Sequence, residues 1–196
     1  RDVRRAQREG VVTTVSTDLA AFEIASELQS ITRKRQGALD YPKGFFPAIA
    51  EHLAKKGLAE CRLGYFEGAP VATVVVLFDR WRMRALYAYA ASLPNRKALA
   101  TGIQPLLLWE AMEKAFLDGF TQFNFGSTAS HNKSLLAYKR RFGASERPLR
   151  RTYFPAGSVI GISEGGMLNR LASPVFRNMP LSLFKRLTPL LLKEVL

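Results

Sequence analysis

A lysine on the apolar side of a short helix is the residue from which we first expect chemistry. Residues 132–142 predict a helix, which Gly143 ends. At about 100° per residue, Lys139 falls inside the arc of the apolar side chains, which are Leu135, Leu136, Tyr138 and Phe142. A lysine there needs water, an acid or a ligand for its head. In a dry cleft it could stabilise the negative charge that develops during acyl transfer, and the alternative is a snorkelling lysine at the sheet edge.

The loop before this helix carries hydroxyl groups and one imidazole. Gly126 ends an apolar strand and lets the chain turn closely past a ligand, while Ser127 and Thr128 supply hydroxyls. His131 is the imidazole nearest to this region and is a candidate proton acceptor for an attacking amine. The alternative is an ordinary strand-to-helix loop with an exposed histidine.

The charge of the chain favours anionic partners. Its 196 residues hold 29 Lys and Arg against 16 Asp and Glu, a formal net charge of +13. Nucleic acid, an anionic membrane surface and a phosphate-bearing substrate all fit such a field. The alternative is a solvated surface that keeps the protein soluble. The length suits one domain with a substantial core, with or without an extension.

Few residues are available for metal or disulfide chemistry. Cys61 is the single cysteine, which excludes an intrachain disulfide and suits a reducing compartment. His52 and His131 lie far apart in sequence, so we predict no metal site and no Ser-His-Asp triad.

The chain ends and the apolar runs bear on localisation. The charged first residues form no signal peptide and include no initiator Met, which indicates a piece of a longer protein. No apolar run reaches the length that spans a bilayer. We therefore predict a cytoplasmic protein, soluble or peripheral at the inner face of the membrane.

The hydrophobic periodicity predicts a mixed α/β fold. Strands are expected at 11–16, 59–66, 69–78, 81–90 and 120–125, helices after Asp18, after Pro42, at 101–118 and at 132–142, and an extended run at 149–154. The three middle strands form an antiparallel meander that turns at Glu67-Gly68 and at Asp79-Arg80. The helix at 101–118 buries Leu108, Ala111, Met112, Ala115 and Phe116. It crosses over to a parallel strand, so helices should cover both faces of the sheet.

Two groups of arginines could bind the phosphates of a donor. The third meander strand should carry Arg80, Arg82 and Arg84 on one face. The amino-terminal run contributes Arg1, Arg4, Arg5 and Arg8. Such runs contact nucleic-acid phosphates by charge. The alternative is that both groups form solvated faces.

The element order and several motifs resemble one family. The motifs are Arg4-Arg5-Ala6, the turn Glu67-Gly68 that runs on as Ala69-Pro70-Val71-Ala72, LLLWEAMEKAFLDGFTQFNFGST and LLAYKRRFGA. Together they resemble the FemAB-like branch of the GNAT acyltransferase superfamily over nearly the whole chain. The resemblance implies a GNAT-like fold and the C-terminal copy of two tandem domains. It also implies transfer of an aminoacyl group from charged tRNA, or of an acyl group from another thioester or ester donor, onto an amine of a cell-wall or related precursor.

The resemblance also implies roles for single residues. The family form is close to Phe-Asp-Phe-Gly, then a variable loop, an aromatic-Lys pair, and a Gly after a further aromatic. These positions hold Phe123-Asn124-Phe125-Gly126, Tyr138-Lys139 and Phe142-Gly143 here. Tyr138 and Lys139 are thereby the expected catalytic residues. Asn124, which stands where an acid is common, joins Gly126, Ser127, Thr128 and His131 as an expected substrate-binding residue.

The donor site is expected at the start of the long helix. In GNAT enzymes the pyrophosphate of coenzyme A binds there, on amides that follow a glycine-rich motif. The corresponding stretch here offers Arg96, Lys97, Thr101 and Gly102, but its glycine spacing does not match. We therefore expect no tightly bound cofactor and a donor that is either aminoacyl-tRNA or acyl-CoA.

The last forty residues differ in character from the rest. We predict a GNAT-like domain over 1–155 and a basic amphipathic helical extension over 156–196, kinked at Pro189. The extension either attaches to a membrane surface or docks on the domain. The predicted function is a FemAB-like acyl or aminoacyl transferase that acts on an amine of a cell-wall or lipid-linked precursor. The alternatives are a conventional acyl-CoA-dependent N-acetyltransferase and a non-catalytic GNAT-fold module that binds nucleic acid or membrane.

Overall fold

A five-stranded sheet organises the chain, and its strands lie in sequence order from β1 to β5. The computed structural model describes residues 2–149 and 167–193. The strands are β1 (Val12–Ser16), β2 (Ala59–Phe66), β3 (Ala69–Asp79), β4 (Arg84–Ser92) and β5 (Gln122–Asn124). The first four pair antiparallel with their neighbours, and β5 pairs parallel with β4. The predicted mixed sheet with its antiparallel meander is confirmed.

Helices cover both faces of this sheet, as predicted. They are α1 (Asp2–Arg8), α2 (Leu19–Gln36), α3 (Phe45–His52), α4 (Arg96–Thr101), α5 (Ile103–Leu117), α6 (Lys133–Arg140), α7 (Met167–Asn178) and α8 (Leu181–Lys193). A single turn of 3-10 helix, Ala54–Lys56, follows α3. Phe22 of α2 and Phe46 of α3 pack on one face of the sheet, and Leu107 of α5 packs on the other.

Strand β3 is buried on both faces because its apolar residues alternate between the two cores. Val75 packs with α2 and α3, whereas Val74 and Val76 pack with α5. The β2–β3 turn that aligns this strand places Glu67 at φ 52° and Gly68 at φ 78°. Two consecutive positive φ angles match the twist of a two-residue hairpin, so the predicted turn at Glu67-Gly68 is confirmed.

The β3–β4 turn differs from the expectation. Strand β4 begins at Arg84, so the prediction that Arg80 and Arg82 share a basic strand face with Arg84 is wrong. The carboxylate of Asp79 accepts the backbone N–H of Arg82 at 3.0 Å, which holds residues 80–83 in a turn. The guanidinium of Arg80 donates to the carbonyl of Gly57 at 3.0 Å.

The long helix expected at 101–118 is two helices. Gly102 has φ 88° and separates α4 from α5, because the left-handed conformation interrupts the helical hydrogen bonds. The buried side of α5 includes Ala111 and Ala115 as predicted, but Phe116 is 77% exposed, so its assignment to the buried stripe is wrong.

The second predicted helix also begins later than expected. Helix α3 starts at Phe45 with Gly44 as its N-cap, so Pro42 is not in its first turn. The Pro42 carbonyl accepts the N–H of Phe45 at 2.9 Å and forms a separate turn before the helix.

Helices α7 and α8 dock on the domain through α2 and the segment that follows it. Ser173 donates its hydroxyl to the Gly37 carbonyl at 2.9 Å, and the hydroxyl of Thr188 accepts the N–H of Asp40 at 3.2 Å. Phe184 is fully buried, and Lys185 pairs with Glu27. Docking is therefore the arrangement that the structure has, and α8 continues through Pro189.

Two predictions concern residues outside the described ranges. The domain boundary between residues 155 and 156 lies outside the described residues, and so does the extended run at 149–154 apart from Leu149. Among the described helices, none combines the length and apolarity needed to cross a bilayer.

We predict that Phe184→Ala destabilises the protein by about 3–5 kcal/mol, because a fully buried aromatic ring leaves a cavity when it is removed. Leu190→Ala on the same helix is the matched control, since Leu190 is 58% exposed and its loss should change the unfolding free energy little. Urea unfolding followed by circular dichroism measures both. Equal stabilities of the two variants would show that α8 does not dock.

Candidate active site at the fork between β4 and β5

The two parallel strands separate after a short pairing. Arg84, Ala85 and Leu86 of β4 pair with Gln122, Phe123 and Asn124 of β5. Strand β4 continues to Ser92, but the chain leaves β5 after Asn124. In the described part of the chain, the edge of β4 from Tyr87 onward therefore has no strand partner on this side. Backbone donors and acceptors on such an edge can bind a ligand.

A tight turn at the end of β5 starts this fork. Gly126 has φ 68°, a conformation that favours glycine, and its N–H donates to Oδ1 of Asn124 at 2.8 Å. A Cβ atom on Gly126 would lie 3.8 Å from the Tyr87 carbonyl oxygen of β4. Asn124, expected to bind substrate, thus contacts its own turn, and its carboxamide can accept this hydrogen bond without bringing a charge to the fork.

Lys139 holds the loop that follows this turn. Its ammonium donates to the carbonyl oxygen of Phe125 at 2.5 Å, to that of Gly126 at 3.3 Å and to Oγ1 of Thr128 at 2.7 Å. The side chain is buried, as its place in the apolar arc predicts, and burial lowers its pKa. Three donors meet three protein acceptors. The geometry therefore favours a structural lysine over an ammonium that faces a reacting carbonyl.

Tyr138, next to Lys139 on α6, has a buried hydroxyl group near this loop. Its ring packs against Phe142 with 5.3 Å between centroids, and Phe142 lies 6.3 Å from Phe125. The hydroxyl oxygen is shielded from solvent and has no hydrogen-bond partner among the described residues. Burial, and to a lesser degree the neighbouring Tyr87, raise the pKa of Tyr138, so the hydroxyl is protonated at neutral pH.

A β-bulge turns Tyr87 toward Tyr138. Val75 pairs with Tyr89 and Val76 pairs with Tyr87, which leaves Ala88 without an opposite residue. Residues two apart on a regular strand share a face. Here Tyr87 packs on the α5 side while Tyr89 packs with the aromatic cluster on the α2 and α3 side. Sequence analysis missed Tyr87 because the pattern of β4 carries no signal of the bulge.

Gln104 completes the polar lining of the fork. Its Nε2 donates to the Thr73 carbonyl at 3.3 Å, and its Oε1 is buried with no hydrogen-bond partner in the described chain. Burial raises the pKa of Tyr87, and the adjacent Gln104 amide partly offsets this effect. Tyr87 thus lies beside both Tyr138 and Gln104. The sequence analysis also missed Gln104, although a glutamine within the apolar run of a helix could have indicated it.

The structure gathers only part of the predicted substrate-binding set at the fork. Thr128 contacts Lys139, and Gly126 approaches Tyr87. Ser127 and His131 are exposed on the loop, and within the described residues the imidazole of His131 makes no hydrogen bond. Among residues 2–149 and 167–193, no group of three or more His, Cys, Asp or Glu residues could hold a metal ion.

The residues predicted to bind the donor fall into two groups. Arg96 and Lys97 are exposed in the first turn of α4, where they can reach an anion. Thr101 is buried at the end of that helix and donates its hydroxyl to the Ala98 carbonyl at 2.6 Å. Thr101 therefore does not begin the long helix, and its hydroxyl is already used.

Helix α1 covers the start of α5. The carbonyl oxygen of Asp2 lies 2.7 Å from the position that a Cβ atom on Gly102 would take, so only glycine fits there. Arg5 donates to the Thr101 carbonyl at 3.3 Å. The amide end of α5, where the pyrophosphate of coenzyme A was expected, is packed against protein. The residues present do not fit the usual seat of that group.

The sheet order, the parallel β4–β5 pair after a crossover helix, and the polar fork between these strands define an acyltransferase fold of the GNAT class. Residues 1–140 match the family model described as an acetyltransferase (GNAT) domain. The chain belongs to this family, and the predicted acyltransferase class is confirmed at that level. A comparison with curated proteins found no significant match.

Solved structures share the fold at low sequence identity. The crystal structure of FemX has a TM-score of 0.63 and 19% identity over 72% of this chain and 52% of its own. A ribosomal-protein-alanine N-acetyltransferase from Brucella melitensis biovar Abortus 2308 has a TM-score of 0.54 and 15% identity over 74% and 99%. The aminoglycoside N-acetyltransferase AAC(6')-Iy in complex with CoA has a TM-score of 0.57 and 12% identity over 73% and 93%. The chain thus spans about half the length of FemX and shares its fold, and the GNAT superfamily that the sequence predicts is confirmed.

We predict that Lys139→Met lowers the unfolding free energy by about 1–3 kcal/mol, since two carbonyls and a hydroxyl lose a charged donor. Lys133→Met, at an exposed position of the same helix, should leave stability almost unchanged. Chemical denaturation measures both variants. If the two variants were equally stable, Lys139 would not hold the loop.

Proposed function

We propose that the protein transfers an acyl or aminoacyl group from a thioester or ester donor to an amine acceptor at the β4–β5 fork. The observation that carries this proposal is the buried hydroxyl of Tyr138, which has no partner among the described residues. Buried polar groups are nearly always paired, so one without a partner beside an open strand edge indicates a ligand. Membership of the acetyltransferase family and the fold shared with FemX support the same reaction class.

The proposed reaction is a direct attack. The nitrogen of the acceptor amine bonds to the donor carbonyl carbon, and the C–S bond of a thioester or the C–O bond of an ester breaks. Backbone N–H groups on the free edge of β4 stabilise the negative charge on the carbonyl oxygen. The Tyr138 hydroxyl gives its proton to the leaving sulfur or oxygen, and the proton that the attacking amine loses restores the hydroxyl.

Lys139 acts in this scheme as a positioning residue. Its ammonium ties the Phe125 and Gly126 carbonyls and the Thr128 hydroxyl to α6. This arrangement fixes the loop beside Tyr138 and turns those two carbonyl oxygens toward Lys139. Their dipoles are then held by a cation and do not oppose the charge that forms at the fork.

The proposed donor is bound through exposed cations rather than through the amide end of α5. Arg4, Arg8, Arg96 and Lys97 are exposed on α1 and α4, next to the covered helix start. Such a surface suits a phosphate-rich donor, and both aminoacyl-tRNA and acyl-CoA are donors of this kind. Both donors are made inside cells, so the proposal assigns the reaction to the cytoplasm. The proposed acceptor is an amine of a cell-wall or lipid-linked precursor, as in the FemAB-like branch.

We predict that one donor class stabilises the folded protein. At about 100 times its Kd, a donor that binds only the native state adds about 2.7 kcal/mol of stability. Thermal unfolding is measured with aminoacyl-tRNA, uncharged tRNA, acetyl-CoA or CoA at increasing concentrations. A shift with aminoacyl-tRNA supports the proposed FemAB-like donor, and a shift with acetyl-CoA supports the conventional alternative. If neither class changes the midpoint, the proposed reaction is contradicted.

We also predict that Tyr138→Phe reduces turnover with the stabilising donor by about 10²–10⁴-fold, since it removes the proton donor to the leaving group. The unfolding free energy should stay the same or rise, because the hydroxyl that is lost is buried and unpartnered. Tyr65→Phe, on β2 at the far side of the sheet, is the matched control and should keep wild-type turnover. Wild-type turnover in the Tyr138 variant would remove this residue from the mechanism.

A further inference from the structure

Three large apolar side chains are exposed, beside arginines, in two segments that meet at one end of the sheet. Trp81 is 92% exposed, Phe116 is 77% exposed and Leu117 is 73% exposed. Exposed large apolar groups are ordinary when they are single, but a group of them marks an interaction surface. Neither the proposed reaction nor the core uses these three residues.

Two contacts show that the segments carrying these side chains meet. The N–H of Thr121 donates to the Met83 carbonyl at 2.9 Å, and the Arg80 guanidinium lies 5.9 Å from the centre of the Phe120 ring. Residues 116–117 end α5, directly before this contact. We call residues 80–84 with residues 116–117 the hairpin face.

The hairpin face is basic around its apolar centre. Trp81 lies between Arg80 and Arg82, and Arg84 follows at the start of β4. Of the acidic groups nearby, Asp79 pairs with Arg82 and Asp118 pairs with Lys114, and Glu113 is exposed one turn before Phe116. The Arg80 side chain donates to the Gly57 carbonyl. Lys55 and Lys56 directly precede Gly57 and add further positive charge.

We propose that the hairpin face binds the surface of an anionic lipid bilayer. Tryptophan prefers the interface between headgroups and hydrocarbon, and arginines bind lipid phosphates. Phe116 and Leu117 gain free energy when they leave water for the acyl-chain boundary. The charge of the face and of the whole chain, +13, is complementary to anionic lipid and disfavours a second copy of this chain.

The observations favour lipid over nucleic acid. Single-stranded nucleic acid would stack on Trp81, but it offers no apolar phase for Leu117. A bilayer accommodates both residues as well as the arginines. Binding through this face is independent of the proposed reaction, because Tyr138 and Gln104 are not part of it.

Co-sedimentation with vesicles tests this surface. Wild-type protein should bind vesicles of phosphatidylglycerol and phosphatidylcholine, and binding should fall with added salt and with pure phosphatidylcholine. Trp81→Ser and the double variant Phe116→Ser with Leu117→Ser should each lose about tenfold or more in vesicle affinity, with unchanged thermal midpoints. Wild-type affinity in these variants would overturn the proposal.

The leucine stripe of α8 supplies the matched control. Leu187 and Leu190 are also exposed, so Leu187→Ser with Leu190→Ser removes a comparable apolar surface elsewhere. This control should bind vesicles like the wild type. Loss of binding in the control but not in the Trp81 variant would assign the membrane contact to the tail and overturn the proposal. If the Trp81 variant lost affinity for tRNA but kept its affinity for vesicles, the face would be a nucleic-acid surface instead.

Tryptophan fluorescence gives a second readout. The chain has two tryptophans, Trp81 and Trp109, so Trp109→Phe leaves Trp81 as the single reporter. Anionic vesicles should shift its emission to the blue, and brominated acyl chains should quench it. Emission that stays at the wavelength of a fully hydrated indole while the protein is bound would show that Trp81 does not enter the bilayer.

Discussion

The ammonium of Lys139 fixes the place where the chain leaves β5, and the candidate site depends on it. It binds the carbonyls of Phe125 and Gly126 and the hydroxyl of Thr128, so the loop turns away from β4 after a short pairing. Without that turn β5 could continue along β4 and fill its free edge. A buried cation is costly unless its donors are satisfied, and here every donor has an acceptor.

Two irregularities of the sheet complete the fork. The bulge at Ala88 turns Tyr87 to the α5 side, and the positive φ of Gly126 lets the loop pass close to the Tyr87 carbonyl. Together they leave the hydroxyl of Tyr138 and the Oε1 of Gln104 buried beside an open strand edge. Bulges and unpaired polar groups cost stability, so they persist where a structure uses them for a ligand.

The sequence predicted regular features well and irregular features poorly. Alternation and apolar runs identified β2 and β3, and the Glu67-Gly68 pair identified their turn. The arc of α6 predicted the burial of Lys139, but its acceptors are backbone groups, which no side-chain pattern reveals. The bulge at Ala88 and the break at Gly102 depend on tertiary contacts, so Tyr87 was missed. Phe116 was misplaced because periodicity does not show where a partner element stops covering a helix.

The start of α5, where enzymes of this family bind the pyrophosphate of coenzyme A, is covered in this chain. Asp2 packs on Gly102, so donor phosphates would have to bind the exposed cations of α1 and α4.

We propose, above all, that the reacting carbonyl lies at the β4–β5 fork. A crystal structure with a non-hydrolysable analogue of the stabilising donor tests it most directly. We expect an analogue atom within about 3 Å of the Tyr138 hydroxyl oxygen, beside the free edge of β4. An analogue seated elsewhere, with the Tyr138 hydroxyl still unpartnered, would contradict the account.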